Sequence, residues 1–148
     1  MRRGTAGVFL LDVNVVLAII DPAHEHHRAA YEWFAQEGRQ GFATCPIVEN
    51  GVLRIASSAA YPNRPGDVDT VRSVLQHLCS LPGHTFWADS ISLLTMLPPI
   101  TGLSSRQVTD GYLVALAARF RGRLTTFDRS VPTRQTGIDP GVVLILGG

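Results

Sequence analysis

The stretch FLLDVNVVLAII, residues 9–20, combines ten apolar residues with two polar ones, Asp12 and Asn14. The continuous apolar run from Val8 to Leu11 predicts a strand that is buried on both faces and that ends at Asp12. Asn14 is the predicted N-cap of a short helix from Val15 to about Ile20, which Asp21-Pro22 closes. An unpaired carboxylate in so apolar a stretch is costly to bury. Asp12 therefore needs a neighbouring group that compensates its charge.

Short strands alternate with helices along the rest of the chain. The further predicted strands are Gly41 to Thr44, His84 to Trp87, Arg123 to Phe127 and Val142 to Leu146. Four further helices are predicted. One runs from His24 to Glu37, and another has Pro46 in its first turn. A third runs from its cap Asp67 to about Ser80, and the fourth from the Ser104–Gln107 capping box to Phe120. This alternation predicts an α/β fold with a mainly parallel central β-sheet flanked by helices. Without a repeat or a composition shift, residues 1–148 are expected to form a single domain.

Composition places the chain among ordinary globular proteins. Its formal net charge is +1, and all thirteen basic residues are arginine. Cys45 and Cys79 form no CxxC pattern, which argues against a zinc ribbon and fits a reducing cytosol. The apolar runs are too short to span a bilayer, and no signal-peptide cleavage site follows the first run. We therefore expect a cytoplasmic protein that does not bind a membrane.

Four acidic residues occupy positions that a parallel sheet brings to one edge. Asp12 and Asp128 directly follow predicted strands, and Glu49 and Asp110 lie in the first turns of helices that begin at the carboxyl ends of strands. Sites in open parallel sheets form at this edge. Although 37, 61 and 18 residues separate the four acids in sequence, we expect them to lie close together.

Four neighbouring carboxylates repel one another unless a cation compensates their charge. Their oxygens are hard ligands, so Mg²⁺ or Mn²⁺ is the expected ion. Such an ion can activate water for cleavage of a phosphodiester bond. Asn14 and Thr126, each two residues from an acid, could orient a carboxylate or a metal-bound water. Helix capping and strand formation explain these two residues equally well.

Four segments closely resemble the acidic motifs of PIN-domain ribonucleases: FLLDVN, the glutamate of CPIVEN, TDGYLVALA and LTTFD. The size and spacing are similar to those of VapC-type toxins of bacterial toxin–antitoxin pairs, from Leu10 to Leu146. The resemblance implies a PIN fold in which Asp12, Glu49, Asp110 and Asp128 bind the metal. Asn14 and Thr126 match the polar accessory positions of the family.

The same resemblance implies an activity and partners. A protein of this family would cleave RNA endonucleolytically with Mg²⁺ or Mn²⁺ and would form a homodimer. It would be neutralised by a cognate VapB-type antitoxin whose C-terminal segment lies across the active site. The alternative is a catalytically inactive PIN-like module that binds RNA or a protein. A phospho-accepting receiver domain is excluded, because such domains use a lysine and this chain has none.

Other charged residues have simpler interpretations. Asp89 is predicted to be a cap. The HEHH stretch, residues 24–27, lacks the i, i+4 histidine pair of a zinc helix and is predicted to be a solvated first helical turn. Arg119, Arg121 and Arg123 suit the C-terminus of a helix. Arg129, directly after Asp128, is the hypothetical RNA contact.

Overall fold

A computed structural model describes residues 7–147. Its centre is a five-stranded, all-parallel sheet in the order β3-β2-β1-β4-β5. The strands are β1 (Phe9–Leu11), β2 (Phe42–Thr44), β3 (His84–Phe86), β4 (Arg123–Thr126) and β5 (Val143–Ile145). Every predicted strand is present, each shorter than expected by one or two residues. The expectation of an α/β fold with a parallel sheet is confirmed.

Five α-helices flank the sheet. They are α1 (Val13–Ile20), α2 (His27–Gln36), α3 (Pro46–Ala56), α4 (Val68–Cys79) and α5 (Val108–Arg119). Two predicted N-termini are confirmed: Asp67 accepts a hydrogen bond from the amide of Thr70 at 2.9 Å, and Ser104 and Gln107 form a capping box. The box opens a 3₁₀ turn, Ser105–Gln107, that precedes α5. None of the helices within residues 7–147 is both long and apolar enough to cross a membrane.

The stretch that opens the chain supplies the central strand and the helix behind it. Leu10 and Leu11 have no exposed surface, and neither do Val15 and Val16 on α1. Strand β1 pairs with β2 on one side and with β4 on the other. Because β1 is covered on both faces and both edges, all three of its side chains are buried, and the first polar residue comes directly after its carboxyl end. Asp12 stands at that point.

The start of α1 corrects one prediction. The helix begins at Val13, and its N-cap is Asp12, whose Oδ1 accepts a hydrogen bond from the Val13 amide at 2.7 Å. Asn14 therefore lies inside the first turn and is not the cap. The predicted cap role of Asp89 is also wrong, because Asp89 lies in an irregular segment and accepts a hydrogen bond from the Tyr112 hydroxyl at 3.1 Å.

The HEHH stretch is not the first turn of a helix. The helix α2 begins only at His27, and residues 24–26 form the turn before it. His27 Nδ1 lies 2.7 Å from the carbonyl oxygen of Ala18, one of the carbonyls near the end of α1 that lack an intrahelical partner. The stretch thus joins α2 to α1, and its last histidine is half-buried rather than solvated.

Candidate active site

Three of the four predicted acids gather where β1 and β4 end. Asp12 follows β1, Asp128 lies two residues beyond the end of β4, and Asp110 lies in the first turn of α5. The charges of Asp12 and Asp128 both act on Asp110. Adjacent parallel strands place the residues that follow them at one edge of the sheet, and this is why Asp12 and Asp128 meet despite their separation in sequence.

Asp12 is a buried carboxylate, with only 7% of its surface exposed. Burial raises its pKa above the usual range. Two hydrogen bonds act in the opposite direction: the Thr126 hydroxyl donates to Oδ2 at 2.7 Å, and the Val13 amide donates to Oδ1. The charge of Asp128 adds a smaller upward contribution. The side chain is therefore held in one orientation, in a place where its negative charge is poorly solvated.

Asp110 and Asp128 share a hydrogen bond. Burial, together with the charges of Asp12 and Asp128, raises the pKa of Asp110 to about 6, and a hydrogen bond to Asp128 contributes in the same direction. The pKa of Asp128 is lowered, mainly because the hydroxyl and the amide of Ser130 donate to its Oδ1 at 2.6 and 2.8 Å. Below about pH 6, protonated Asp110 therefore donates to ionised Asp128. One proton partly relieves the repulsion among the three carboxyls.

No basic side chain compensates this cluster within residues 7–147. The ion pairs of that region lie elsewhere, at Glu25–His26, Arg28–Glu32 and Asp69–Arg72. The pKa values of Asp12 and Asp110 are raised, and that of Asp128 is lowered. Three neighbouring carboxyl groups that form no ion pair are suited to a hard divalent cation. The chemistry of these donors fits Mg²⁺ or Mn²⁺, and Asp12, Asp110 and Asp128 are the residues that would hold it. Their oxygens do not all lie within 4.8 Å of one another as placed, so binding would draw the three side chains closer together.

Thr126 and Asn14 connect the ends of β1 and β4. The Thr126 hydroxyl donates to Asp12 and accepts a hydrogen bond from the Asp128 amide at 3.0 Å. Asn14 donates from Nδ2 to that hydroxyl and accepts from the Phe127 amide, each at 3.4 Å. Thr126 therefore orients a carboxylate directly, whereas Asn14 acts through Thr126 and the backbone.

Glu49 belongs to a different cluster. It lies in the first turn of α3, as predicted, but the Thr44 hydroxyl donates to its Oε2 at 2.7 Å. The same hydroxyl lies 2.8 Å from His84 Nε2 and 3.8 Å from Cys79 Sγ. Across the described residues, no hydrogen bond links Glu49 to the three aspartates. The structure does not bring the fourth predicted acid into contact with the other three.

Glu49, Cys79 and His84 have ligand atoms that all lie within 4.8 Å of one another, a spacing that could hold a metal. The Thr44 hydroxyl, however, lies within 3.8 Å of all three. A hydroxyl has one proton and two lone pairs. Because its proton goes to Glu49, His84 must donate from Nε2, and the Cys79 thiol can use the remaining lone pair. The cluster is satisfied as a hydrogen-bond network without a metal.

Two clefts open on either side of Asp128. One, of about 530 Å³, is lined by Ser104, Arg106, Gln107, Asp110, Asp128 and Ser130. The other, of about 620 Å³, is lined by Asp21 and segments 23–26 and 61–63, together with Asn14, Phe127 and Asp128. Arg129 is exposed and lines neither cleft. Arg106, which lies inside the capping box, lines the first cleft, and the sequence pattern had assigned it no role at the site.

Comparison with known proteins supports a family assignment. No protein-family model matches the chain. Ribonuclease VapC39 of Mycobacterium tuberculosis is 43% identical over 124 residues, which cover 82% of this chain and 89% of the relative. Ribonuclease VapC38 is 42% identical over 126 residues (84% and 87%), and Ribonuclease VapC44 is 38% identical over 124 residues (82% and 87%), both from the same organism. With relatives this similar over most of both chains, the chain belongs to the VapC-type PIN-domain ribonucleases.

Proposed function

We propose that this protein is a Mg²⁺- or Mn²⁺-dependent endoribonuclease and the toxin of a type II toxin–antitoxin pair. The relatives carry the name ribonuclease, and the observation that supports the metal requirement is the cluster of Asp12, Asp110 and Asp128. The charge of Asp128 contributes to the raised pKa values of Asp12 and Asp110, and among residues 7–147 the three acids form no ion pair with a basic residue. Such a cluster is unfavourable in isolation and becomes favourable with a divalent cation.

The chain's own residues position this site. A bound divalent ion would supply activation of water and stabilisation of the oxygens in an in-line displacement at phosphorus. Thr126 and the Val13 amide hold Asp12 in place. A bound ion would favour the ionised form of Asp110, because its positive charge would compensate the carboxylates in place of the hydrogen bond to Asp128. Asp128 borders both clefts, so an RNA strand that crosses from one to the other passes over it.

We further propose that Glu49 acts as the fourth carboxylate. The first turn of α3 starts at the same edge of the sheet as the aspartates. A rotation of the Glu49 side chain that exchanges its hydrogen bond to Thr44 for the ion would complete the set of four. Arg129 is retained as a proposed RNA contact, because it is exposed directly after Asp128.

The proposed partners follow from the family. They are an RNA substrate, a cognate VapB-type antitoxin and a second copy of the chain in a homodimer. The proposed location is the cytoplasm, where both RNA and antitoxin are available. None of these partners requires a membrane segment.

The test is cleavage of total cellular RNA by the purified protein, with Mn²⁺ or with chelator. We expect discrete fragments that appear only with the metal and are absent for Asp12→Asn. Asp69→Asn is the matched control, since Asp69 is an exposed aspartate on α4 that pairs with Arg72, and it should cleave like the parent. Absence of cleavage by folded, antitoxin-free protein would instead favour the inactive binding module, for which the engagement of Glu49 by Thr44 is the supporting observation.

A further inference from the structure

The cleft of about 620 Å³ beside Asp128 contains an array of aromatic rings. The imidazole of His26 stacks on the ring of Phe127, with centroids 4.5 Å apart and planes 16° from parallel. His24 lies next to His26, with centroids 5.8 Å apart. Phe127 directly precedes Asp128, so the array begins one residue from a proposed metal ligand. A flat group bound on these rings would lie next to the reacting phosphate.

The outer member of the stacked pair is accessible. His26 lines the cleft, and 45% of its side-chain surface is exposed. The histidines of the HEHH stretch therefore have different surroundings. His27 contacts the Ala18 carbonyl of α1, whereas His24 and His26 line the cleft. Among the described residues, no group of three potential ligands close enough for a metal includes these histidines. Ring stacking is therefore the chemistry that His24 and His26 offer to a ligand in this cleft.

The charge of the part of the cleft away from Asp128 disfavours a phosphate there. The lining of the cleft includes the acidic residues Asp21, Glu25 and Asp128, and no arginine from the described part of the chain. The Tyr61 hydroxyl is already committed, because it donates to Asp21 Oδ2 at 2.7 Å. A phosphate beside Asp21 and Glu25 would meet two carboxylates and no arginine. A nucleobase is neutral, flat and polar at its edge, and Asn63 offers an amide at the rim of the same cleft.

We propose that this cleft binds the nucleobase of a nucleotide adjacent to the scissile phosphate, stacked on His26. The inference rests on the proposed ribonuclease function and adds the position of a base-binding subsite to it. Proteins recognise single-stranded RNA mainly by stacking splayed bases on aromatic rings and histidines. The stacked base would place its own phosphate near Asp128, because Phe127, on which His26 stacks, directly precedes Asp128.

The test is equilibrium binding of a fluorescent, unstructured single-stranded RNA of mixed sequence to the Asp12→Asn protein. In that background, His26→Ala should weaken binding roughly tenfold, and His26→Phe should restore it because a phenyl ring also stacks. The slope of affinity against salt should stay unchanged, because stacking releases no counterions. His77→Ala, which alters an exposed histidine on α4, is the matched control and should bind like the Asp12→Asn protein.

The same changes in the otherwise native protein separate this subsite from the proposed activity. His26→Ala should raise KM roughly tenfold and change kcat less than twofold. Equal affinity with and without His26→Ala in the Asp12→Asn background, failure of His26→Phe to restore binding there, or a salt slope lowered by about one would each overturn the subsite. If RNA is still cleaved when any of these results is found, the proposed ribonuclease activity is supported and only the base-binding subsite is overturned. Binding that responds as expected in a protein that cuts no RNA would retain the subsite and overturn the activity.

Discussion

Asp110→Asn should stabilise the metal-free protein. A rise in the pKa of Asp110 from 3.8 to about 6 means that the fold disfavours the ionised form, by at most about 3 kcal/mol. The carboxyl is half-buried, and solvent screening reduces this to about 1 kcal/mol. For a domain of this length, 1 kcal/mol corresponds to about 3 °C in Tm. Asparagine removes the charge and can still donate a hydrogen bond to Asp128.

The effect should depend on pH with a definite sign. The folded-state pKa of this acid lies above its unfolded value, so stability is lost as pH rises from about 4 to about 6. Asp110→Asn and the parent should therefore unfold at similar temperatures at pH 4. The variant should be more stable by about 3 °C above pH 6. Thermal unfolding in chelator across this range measures the difference.

Bound metal should make the parent protein more stable than Asp110→Asn, the reverse of their order in chelator. Mn²⁺ at about a hundredfold excess over its Kd stabilises the native state by about 2.7 kcal/mol, or about 8 °C. Asp110→Asn has lost a ligand, so its rise should be much smaller and the parent should become the more stable protein. Asp69→Asn, an exposed change away from the cluster, should behave like the parent in both conditions. An equal rise in parent and variant, or an Asp110→Asn protein that is less stable in chelator at pH 7, would refute the reasoning.

Three further expectations concern the surroundings of the site. Thr126→Val removes the hydroxyl that donates to Asp12 and should lower kcat for RNA about 10- to 100-fold, with little change in KM; parent-like kinetics would contradict this role. Glu49→Gln should reduce both RNA cleavage and Mn²⁺ affinity, and a fully active variant would limit the site to three aspartates. Sedimentation at micromolar concentration should give the mass of a dimer, and a monomer mass would exclude the proposed assembly.

The start of α1 shows why local sequence placed the cap wrongly. Aspartate and asparagine are about equally good N-caps, so residues 12 and 14 compete on local grounds. Pairing between strands decides the outcome. The Asp12 amide donates to the Thr125 carbonyl at 2.9 Å, so the pairing between β1 and β4 extends to residue 12. Asn14 instead faces Thr126 and Phe127. These partners lie on or beside β4, far away in sequence.

Glu49 shows the same limit for the site itself. Its place in the first turn of α3 is determined locally by Pro46 and by the end of β2. The direction of its side chain depends on Thr44, Cys79 and His84, which the fold assembles from three elements. No local sequence pattern indicates whether Glu49 joins the aspartates or the group around Thr44.

The sequence by itself determined the alternation of strands and helices and the position of each acid at a strand end or in a first helical turn. These features follow from residue periodicity and capping, which act over a few residues. Only the tertiary structure decided which acids meet. The strand order β3-β2-β1-β4-β5 makes β1 and β4 neighbours and thereby unites Asp12 with Asp128. Strand order is set by burial and pairing between distant segments, and such contacts are invisible to any local pattern.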